Sequence, residues 1–293
     1  MPGPLLVVDA PLLLYRSFFG IPESVKGVED HPVNALLGSV NALLRAVAET
    51  KPRTVVICFG AEQAPYRVEL YAGYHAQRPP MPEDLAWQFQ QAPALFSALG
   101  WGVATSVELE ADDLLGSYAL IEADAGGETL ILTGDRDLYQ CASPQTLVLY
   151  LKQGSGGFDR IDPEEVVDRY GVLPEQVPDF IALRGDPSDG LPGAPGIGQK
   201  TAAELLLRHG TLEALLAAVA DDDAGERPRI AAAVRDNAEQ LRAFREIALL
   251  QPVEVKRPPD ARTDFSAGAV AASALGMGAL AGRLEAAAAQ SRG

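Results

Sequence analysis

Between positions 184 and 202 the chain reads RGDPSDGLPGAPGIGQKTA. Two carboxylates, Asp186 and Asp189, stand three apart in a Gly/Pro loop. A Gly196-Ile197-Gly198 turn then opens a helical stretch carrying Gln199, Lys200 and Thr201. Such a turn exposes backbone N–H groups at a helix N-terminus, which is a seat for a phosphate. The aspartates supply acceptor-only oxygens, the kind that hold a hard divalent cation. A phosphate grip beside a metal grip suggests phosphodiester chemistry.

Six more carboxylates follow a placement rule. Asp9 closes the short apolar run Pro4–Asp9, and Asp135 and Asp137 follow the run Glu128–Thr133. Glu110, Asp112 and Asp113 begin a helical stretch, Glu110–Ala125, reached from a weak strand pattern at Trp101–Val107. In an open parallel sheet, ligands bind outside the carboxyl ends of the strands, so all six converge on one rim. A lone aspartate after a strand is usually a cap or turn former. Six on one rim repel one another strongly unless cations sit between them. With Asp186 and Asp189 the set is enough for two Mg²⁺ or Mn²⁺ ions that keep several waters each. Two such ions polarise a phosphate, activate a water and stabilise a leaving oxygen.

The elements that must position these groups are legible in the hydrophobic pattern. Thr54–Phe59 and Thr146–Leu151 read as further strands, and Val33–Glu49 has helical spacing. Residues 60–82 lack clean periodicity and read as a loop or lid, followed by a helix over Glu83–Leu99 bent near Pro93. Gly154–Gly157 reads as a flexible loop, the pattern turns helical from Asp162, and the tail from Ala267 is alanine-rich and either helical or frayed. Strands alternating with helices predict an α/β fold, a mostly parallel central sheet with helices on both faces. The expected division is a core over residues 1–175, with a lid at about 60–100, and a helical region over 176–293. Trp87, Phe89 and Trp101 read as packing residues, and His31 and His209 as structural.

The 293 residues are 47% hydrophobic and 22% charged, as in a soluble globular protein. The net charge of −16 looks wrong for a nucleic-acid binder until it is mapped. Residues 108–189 hold 18 acidic and 5 basic side chains, so the acidity is concentrated where the candidate metal ligands lie. Bound divalent ions would reverse the local sign of that field. Two cysteines, Cys58 and Cys141, give neither a disulfide framework nor a zinc spacing. No apolar run approaches membrane-spanning length. A cytoplasmic monomer without membrane contact is expected.

In several long stretches the sequence closely resembles the bacterial 5′-nuclease family, which includes flap endonucleases and the 5′→3′ exonuclease domain of DNA polymerase I. The likeness runs from Leu5 to about Leu250 through LLVVDA, YRVELYAGYHAQR (66–78), RPPMPEDL, LEADDLLGS (109–117), TGDRDLYQ (133–140), DFIALRGDPSDGLPG (179–193) and GIGQKTAAELL (196–206). No polymerase region follows, which implies a stand-alone member. The resemblance implies a PIN-like core with a helical lid or arch and a helix–two-turn–helix module gripping DNA as a 5′ flap, a nicked duplex or a 5′-ended duplex. It assigns Asp9, Glu110, Asp112 and Asp135 to a first metal site, and Asp137, Asp186 and Asp189 to a second, with Asp113 alongside. It assigns Gly196–Lys200 to phosphate binding, with a K⁺ ion there as an open expectation. Arg78, with Arg67 and His75, would orient the reacting strand. Tyr15 and Arg16, placed near the rim by following Asp9, read either as contacts to the 5′ nucleotide or as ordinary helix-face packing.

Three departures matter. Phe59-Gly60-Ala61 stands where the family usually reads Phe-Asp-Ala, so one first-site carboxylate is missing. His75 replaces a lysine, exchanging a permanent cation for one mostly neutral at pH 7. Ser188-Asp189-Gly190 replaces Ser-Asp-Asn. The expectation is a nuclease with a changed metal preference or a raised metal requirement. The rivals are a DNA-structure-binding protein that has lost catalysis and a metal-dependent ribonuclease of related α/β type.

Overall fold

The structure is a computed structural model that describes residues 3–152, 157–220 and 225–290. Six strands, β1 (Leu5–Asp9), β2 (Thr54–Phe59), β3 (Gly102–Thr105), β4 (Thr129–Thr133), β5 (Thr146–Leu151) and β6 (Phe158–Ile161), form one sheet in the order β3-β2-β1-β4-β5-β6. The first five run parallel, and β6 pairs antiparallel with β5. The sequence reading had no β6. It is a four-residue strand holding Asp159 and Arg160 at the sheet edge, where charge and shortness blunt unwanted pairing. Of the expected loop before it, residues 154–156 lie outside the described residues.

Alternating strand residues feed two cores, as a sheet covered on both faces requires. Leu5, Val7, Val56, Cys58, Ile131 and Val148 face α5 (Ala111–Asp124) and a helical module. That module comprises α6 (Pro163–Tyr170), α7 (Val177–Arg184), α8 (Gln199–His209), α9 (Leu212–Ala220), α10 (Pro228–Asp236) and α11 (Ala238–Ala248). Leu6, Val8, Val55, Ile57, Leu132 and Leu149 face the opposite layer. There lie α1 (Ala10–Gly20), α2 (Asn34–Thr50), α4 (Glu83–Ala98), α12 (Phe265–Ala274) and α13 (Gly278–Gln290). The alanine-rich tail is thus a helical hairpin on α4, across the sheet from the module it follows in sequence. Its small residues allow close approach: a Cβ on Gly268 would stand 2.3 Å from Leu99 Cδ2.

The strap over residues 251–264 connects the two layers. Its clamp is Glu122, whose carboxylate receives Arg53 at 2.6 and 3.1 Å and Arg257 at 2.9 Å. Burial opposes that charge, yet the hydrogen bonds from Arg257 and Arg53 hold its carboxyl below the ordinary range. Trp101 donates its indole N–H to Thr263 Oγ1 at 3.0 Å, in keeping with a packing role. Residues 60–82 include a short helix, α3 (Pro65–Leu70), and a turn that buries Tyr74 and His75. α4 runs unbroken across Pro93. Among the described residues no helix is long and apolar enough to cross a membrane.

Candidate active site

Successive strands build outward in opposite directions from β1 and β4, which opens a crevice at their carboxyl ends. Asp9 ends β1 and caps α1, its Oδ1 accepting from the Leu12 N–H at 3.0 Å. Its Oδ2 accepts from the Thr133 hydroxyl at 2.8 Å, and that hydroxyl oxygen accepts from the Asp135 N–H at 3.0 Å. Thr133 therefore ties together carboxylate residues from two neighbouring strands. Asp135 Oδ1 accepts from the Asp137 N–H at 2.9 Å, turning the chain into a short 3₁₀ segment. Asp112 stands in the first turn of α5, facing this crevice electrostatically.

The second group comes from the α7–α8 connection. Asp186 and Leu191 exchange backbone hydrogen bonds at 2.8 Å, and Ser188 donates its N–H to Asp186 Oδ1 at 2.8 Å. Arg184 Nη2 lies 3.4 Å from Asp186 Oδ2. Asp189 Oδ1 meets His75 Nε2 at 3.0 Å and accepts from Arg78 Nη2 at 3.2 Å. Glycine is required at position 190, with φ +77° and the Gly73 carbonyl oxygen 2.6 Å from where a Cβ would be. That contact accounts for Ser-Asp-Gly in this chain.

The electrostatics join the two groups. Burial pushes the Asp135 carboxyl up to about 7, with Asp189, Asp9 and Asp186 adding to it. Asp137 is raised well above the usual range by burial, then by Asp135, Asp189, Asp186 and Asp112. Asp112 is raised well above it by burial, then by Asp9, Asp135 and Glu110. Burial also raises Asp9. Carboxyls so crowded resist ionising together. As they stand, no three His, Cys, Asp or Glu side chains among the described residues are grouped closely enough to hold an ion. The donor set nevertheless suits a hard divalent cation: it is all oxygen, and a cation would relieve the repulsion that raises Asp112, Asp135 and Asp137.

Arg67 and Asp113 take a different place from the one expected of them. Arg67 is 3% exposed, donating to Asp113 at 2.8 and 3.1 Å and to the Ile247 carbonyl at 3.0 Å. Its Nη1 also lies 3.2 Å from Glu110 Oε1. Asp113 is fully buried and further accepts from the N–H groups of Glu110 and Gln251 at 3.0 and 2.8 Å. Both oxygens of Asp113 are committed, so it and Arg67 act as a buried brace that orients Glu110. Glu110 itself accepts from the Ala64 N–H at 2.8 Å and the Tyr74 hydroxyl at 2.9 Å.

Position 60 has a steric explanation. A Cβ there would lie 2.1 Å from the Ala111 nitrogen and 2.2 Å from the Glu110 carbonyl carbon. The start of α5 occupies the space in which a side chain would stand. Glu62, two residues further on, is exposed and acts electrostatically on Tyr15.

The DNA-contact candidates divide by exposure. Gly196 (φ +78°), Gly198, Gln199 and Lys200 are exposed, Thr201 is half-buried, and Ile197 is buried as the anchor of the turn. Gln199 donates to the Arg169 carbonyl at 2.9 Å. Arg16, half-buried on α1, reaches the Leu151 carbonyl at 3.4 Å. Sequence reasoning missed Thr133, Tyr74 and Arg184. All three lie inside the quoted motifs, but only contact geometry gives them a role.

Two outcomes follow from this geometry. Asp135 has a folded-state carboxyl near 7 against about 3.9 unfolded, so its contribution favours folding at low pH and is lost as pH rises through 7. In chelator, Asp135→Asn is expected to match wild type in Tm near pH 4 and to exceed it increasingly toward pH 8; a pH-independent difference would contradict the crowding. Gly60→Ala is expected to cost at least the ~1–3 kcal/mol of ordinary overpacking, measured by denaturant unfolding. Stability equal to wild type would show that α5 yields there.

Comparisons with known proteins agree with this architecture. Residues 4–171 match the 5′-3′ exonuclease N-terminal resolvase-like domain, and residues 172–262 match the 5′-3′ exonuclease C-terminal SAM fold. A 5′-3′ exonuclease of Mycobacterium tuberculosis is 36% identical over 242 residues, covering 76% of this chain and 75% of that protein. DNA polymerase I of Mycobacterium bovis is 34% identical over 258 residues, but the match spans only 28% of that longer protein. Among solved structures, a bacteriophage T5 flap endonuclease complex with DNA and metal ions aligns with TM-score 0.65 at 16% identity, over 98% of each chain. That likeness shows the shared fold. This chain belongs to the 5′-3′ exonuclease family.

Proposed function

We propose that this chain is a divalent-metal-dependent, structure-specific 5′ nuclease. It hydrolyses DNA phosphodiesters near a 5′ end, as a 5′→3′ exonuclease or flap endonuclease, and works as a cytoplasmic monomer. The observation that carries the reading is the crowding of Asp9, Asp112, Asp135, Asp137, Asp186 and Asp189 at the carboxyl ends of β1 and β4. The loop that brings Asp186 and Asp189 to this basin continues into the exposed turn at the start of α8. One chain segment thus joins a cation site to a phosphate seat.

Asp9, Glu110, Asp112 and Asp135 would hold one Mg²⁺ or Mn²⁺ ion, and Asp137, Asp186 and Asp189 a second. Such ions supply Lewis-acid polarisation of the phosphodiester and screening of the attacking and leaving oxygens. The protein's own part is placement. Thr133 fixes the spacing between β1 and β4, while the Arg67–Asp113 brace and Tyr74 fix Glu110. Gly196, Gly198 and Lys200 would bind duplex phosphates without reading sequence, with a K⁺ ion helping at that turn. Arg78, with a 45% exposed side chain beside Asp189, is placed to draw the reacting strand to the basin and to offset developing negative charge. His75 acts more indirectly, being 4% exposed and bonded to Asp189. The T5 enzyme that shares the fold was crystallised with both DNA and metal ions, which supports DNA and divalent cations as ligands.

A 5′-labelled flap DNA, titrated with Mg²⁺ and Mn²⁺, tests the reading. Wild type is expected to cleave only with metal. Asp135→Ala is expected to lose more than the roughly 10–100-fold that outer-shell partners of a metal cost, while keeping DNA affinity in Ca²⁺. Cleavage in chelator, or full activity in Asp135→Ala, would contradict it. Tight flap binding by a wild type that never cleaves would favour the structure-binding alternative.

A further inference from the structure

The two groups of candidate ion ligands are held by different kinds of partner. In the first, Asp9 accepts from the Leu12 N–H and the Thr133 hydroxyl, and Asp135 accepts from the Asp137 N–H, all uncharged donors. Arg67 does reach Glu110, but its charge is offset by Asp113 at 2.8 and 3.1 Å. In the second group the partners are cationic. Arg184 meets Asp186 at 3.4 Å, and Arg78 meets Asp189 at 3.2 Å. A cation entering the second group therefore meets positive charge already in place.

The two arginines differ in freedom. Arg78 has a 45% exposed side chain and can turn into solvent. Arg184 is 18% exposed and is held from several directions. Its Nε donates to the Gly185 carbonyl at 3.0 Å, and its guanidinium stacks over the buried rings of Tyr170 at 5.7 Å and Phe180 at 5.3 Å. A planar cation braced on two aromatic faces is fixed beside Asp186. Among the described residues no second carboxylate pairs with it. The other oxygen of Asp186 already accepts from the Ser188 N–H and hydroxyl. An ion taking Asp186 must bind against an immovable neighbouring charge.

We propose that Arg184 sets the affinity of the second ion site: it is a built-in counter-cation that weakens ion binding at Asp186 and makes the two sites unequal. This rests on the nuclease reading above. Arg184 is a positioning residue, acting through Asp186. The affinity of an all-oxygen site is tuned by the net charge of its ligands, and one fixed positive charge cancels one of the carboxylates among Asp137, Asp186 and Asp189. The first site then fills at low metal concentration. The second fills only at higher concentration, or once a bound phosphate adds negative charge. Double loading, and cleavage with it, is deferred until DNA is present. The raised metal requirement expected from Gly60 thereby gains a separate source, one that a single substitution can remove.

The test is titration calorimetry of Mn²⁺ into the whole chain at neutral pH, without DNA. Wild type is expected to show a tighter and a weaker class of site. Arg184→Met keeps apolar contact with the two rings and removes the charge. It is expected to tighten the weaker class about tenfold, about 1.4 kcal/mol, and to leave the tighter class unchanged. Arg184→Lys keeps the charge and is expected to stay close to wild type. Asp186→Asn is expected to lose the weaker class alone. Damage to the fold would weaken binding, so a gain in affinity reports the charge itself. If Arg184→Met unfolds at lower temperature than wild type, Arg184→Gln decides in its place. A weaker class unmoved by removing the charge, equal tightening in Arg184→Lys, or loss of the tighter class in Asp186→Asn overturns the assignment, as does a wild type that binds no Mn²⁺. A wild type with both classes of site that cleaves no flap leaves the assignment standing and overturns the nuclease reading instead.

Discussion

Mutual repulsion among carboxylates at the carboxyl ends of β1 and β4 is the constraint on which the rest of the structure depends. A protein gains no stability by burying several like charges together. Asp112, Asp135 and Asp137 are each pushed toward the protonated form by burial and by neighbouring carboxylates. Such an arrangement makes sense when multivalent cations complete it, because the field that destabilises the bare fold becomes the field that binds them. The marked acidity of residues 108–189 is the compositional trace of this arrangement.

Scaffolding around the basin is correspondingly rigid. Thr133 bonds both to the carboxylate of Asp9 and to the backbone of Asp135, so two strands move as one. Arg67 and Asp113 form a buried pair that also grips Ile247 and Gln251, tying the end of α11 to the start of α5. The module carrying the proposed DNA anchor is therefore fastened to Asp113, which in turn accepts from the Glu110 N–H. The Glu122 clamp does the same for the strap that carries the chain to α12. The buried pairs Arg67–Asp113 and Arg53–Glu122 hold the frame around the crevice.

Much of this was legible in the sequence. The buried strands β1, β2 and β4 are short, apolar and bounded by turn residues, and the rule that ligands bind past their carboxyl ends placed Asp9 and Asp135 correctly on one rim. The helices α2, α4 and α5 followed from spacing. The short edge strand β6 and the layer joined by α12 and α13 did not, because both depend on long-range pairing rather than local pattern. The roles of Arg67 and Asp113 were also hidden: an arginine that braces and one that touches substrate look alike until burial is known. Gly60 is the sharpest case. The sequence shows only that a carboxylate is missing there; the contact with Glu110 and Ala111 adds a backbone packed too closely for a side chain.

Coupling between cation binding and protonation is the most direct measure of the central claim. Carboxyls held partly protonated by crowding must give up protons when a cation enters. Titration calorimetry of Mn²⁺ at pH 6.5, in buffers of different ionisation enthalpy, reads that release. The account predicts net proton release on binding to wild type and a smaller release in Asp135→Asn. Binding without proton release, or no Mn²⁺ binding at all, would contradict it.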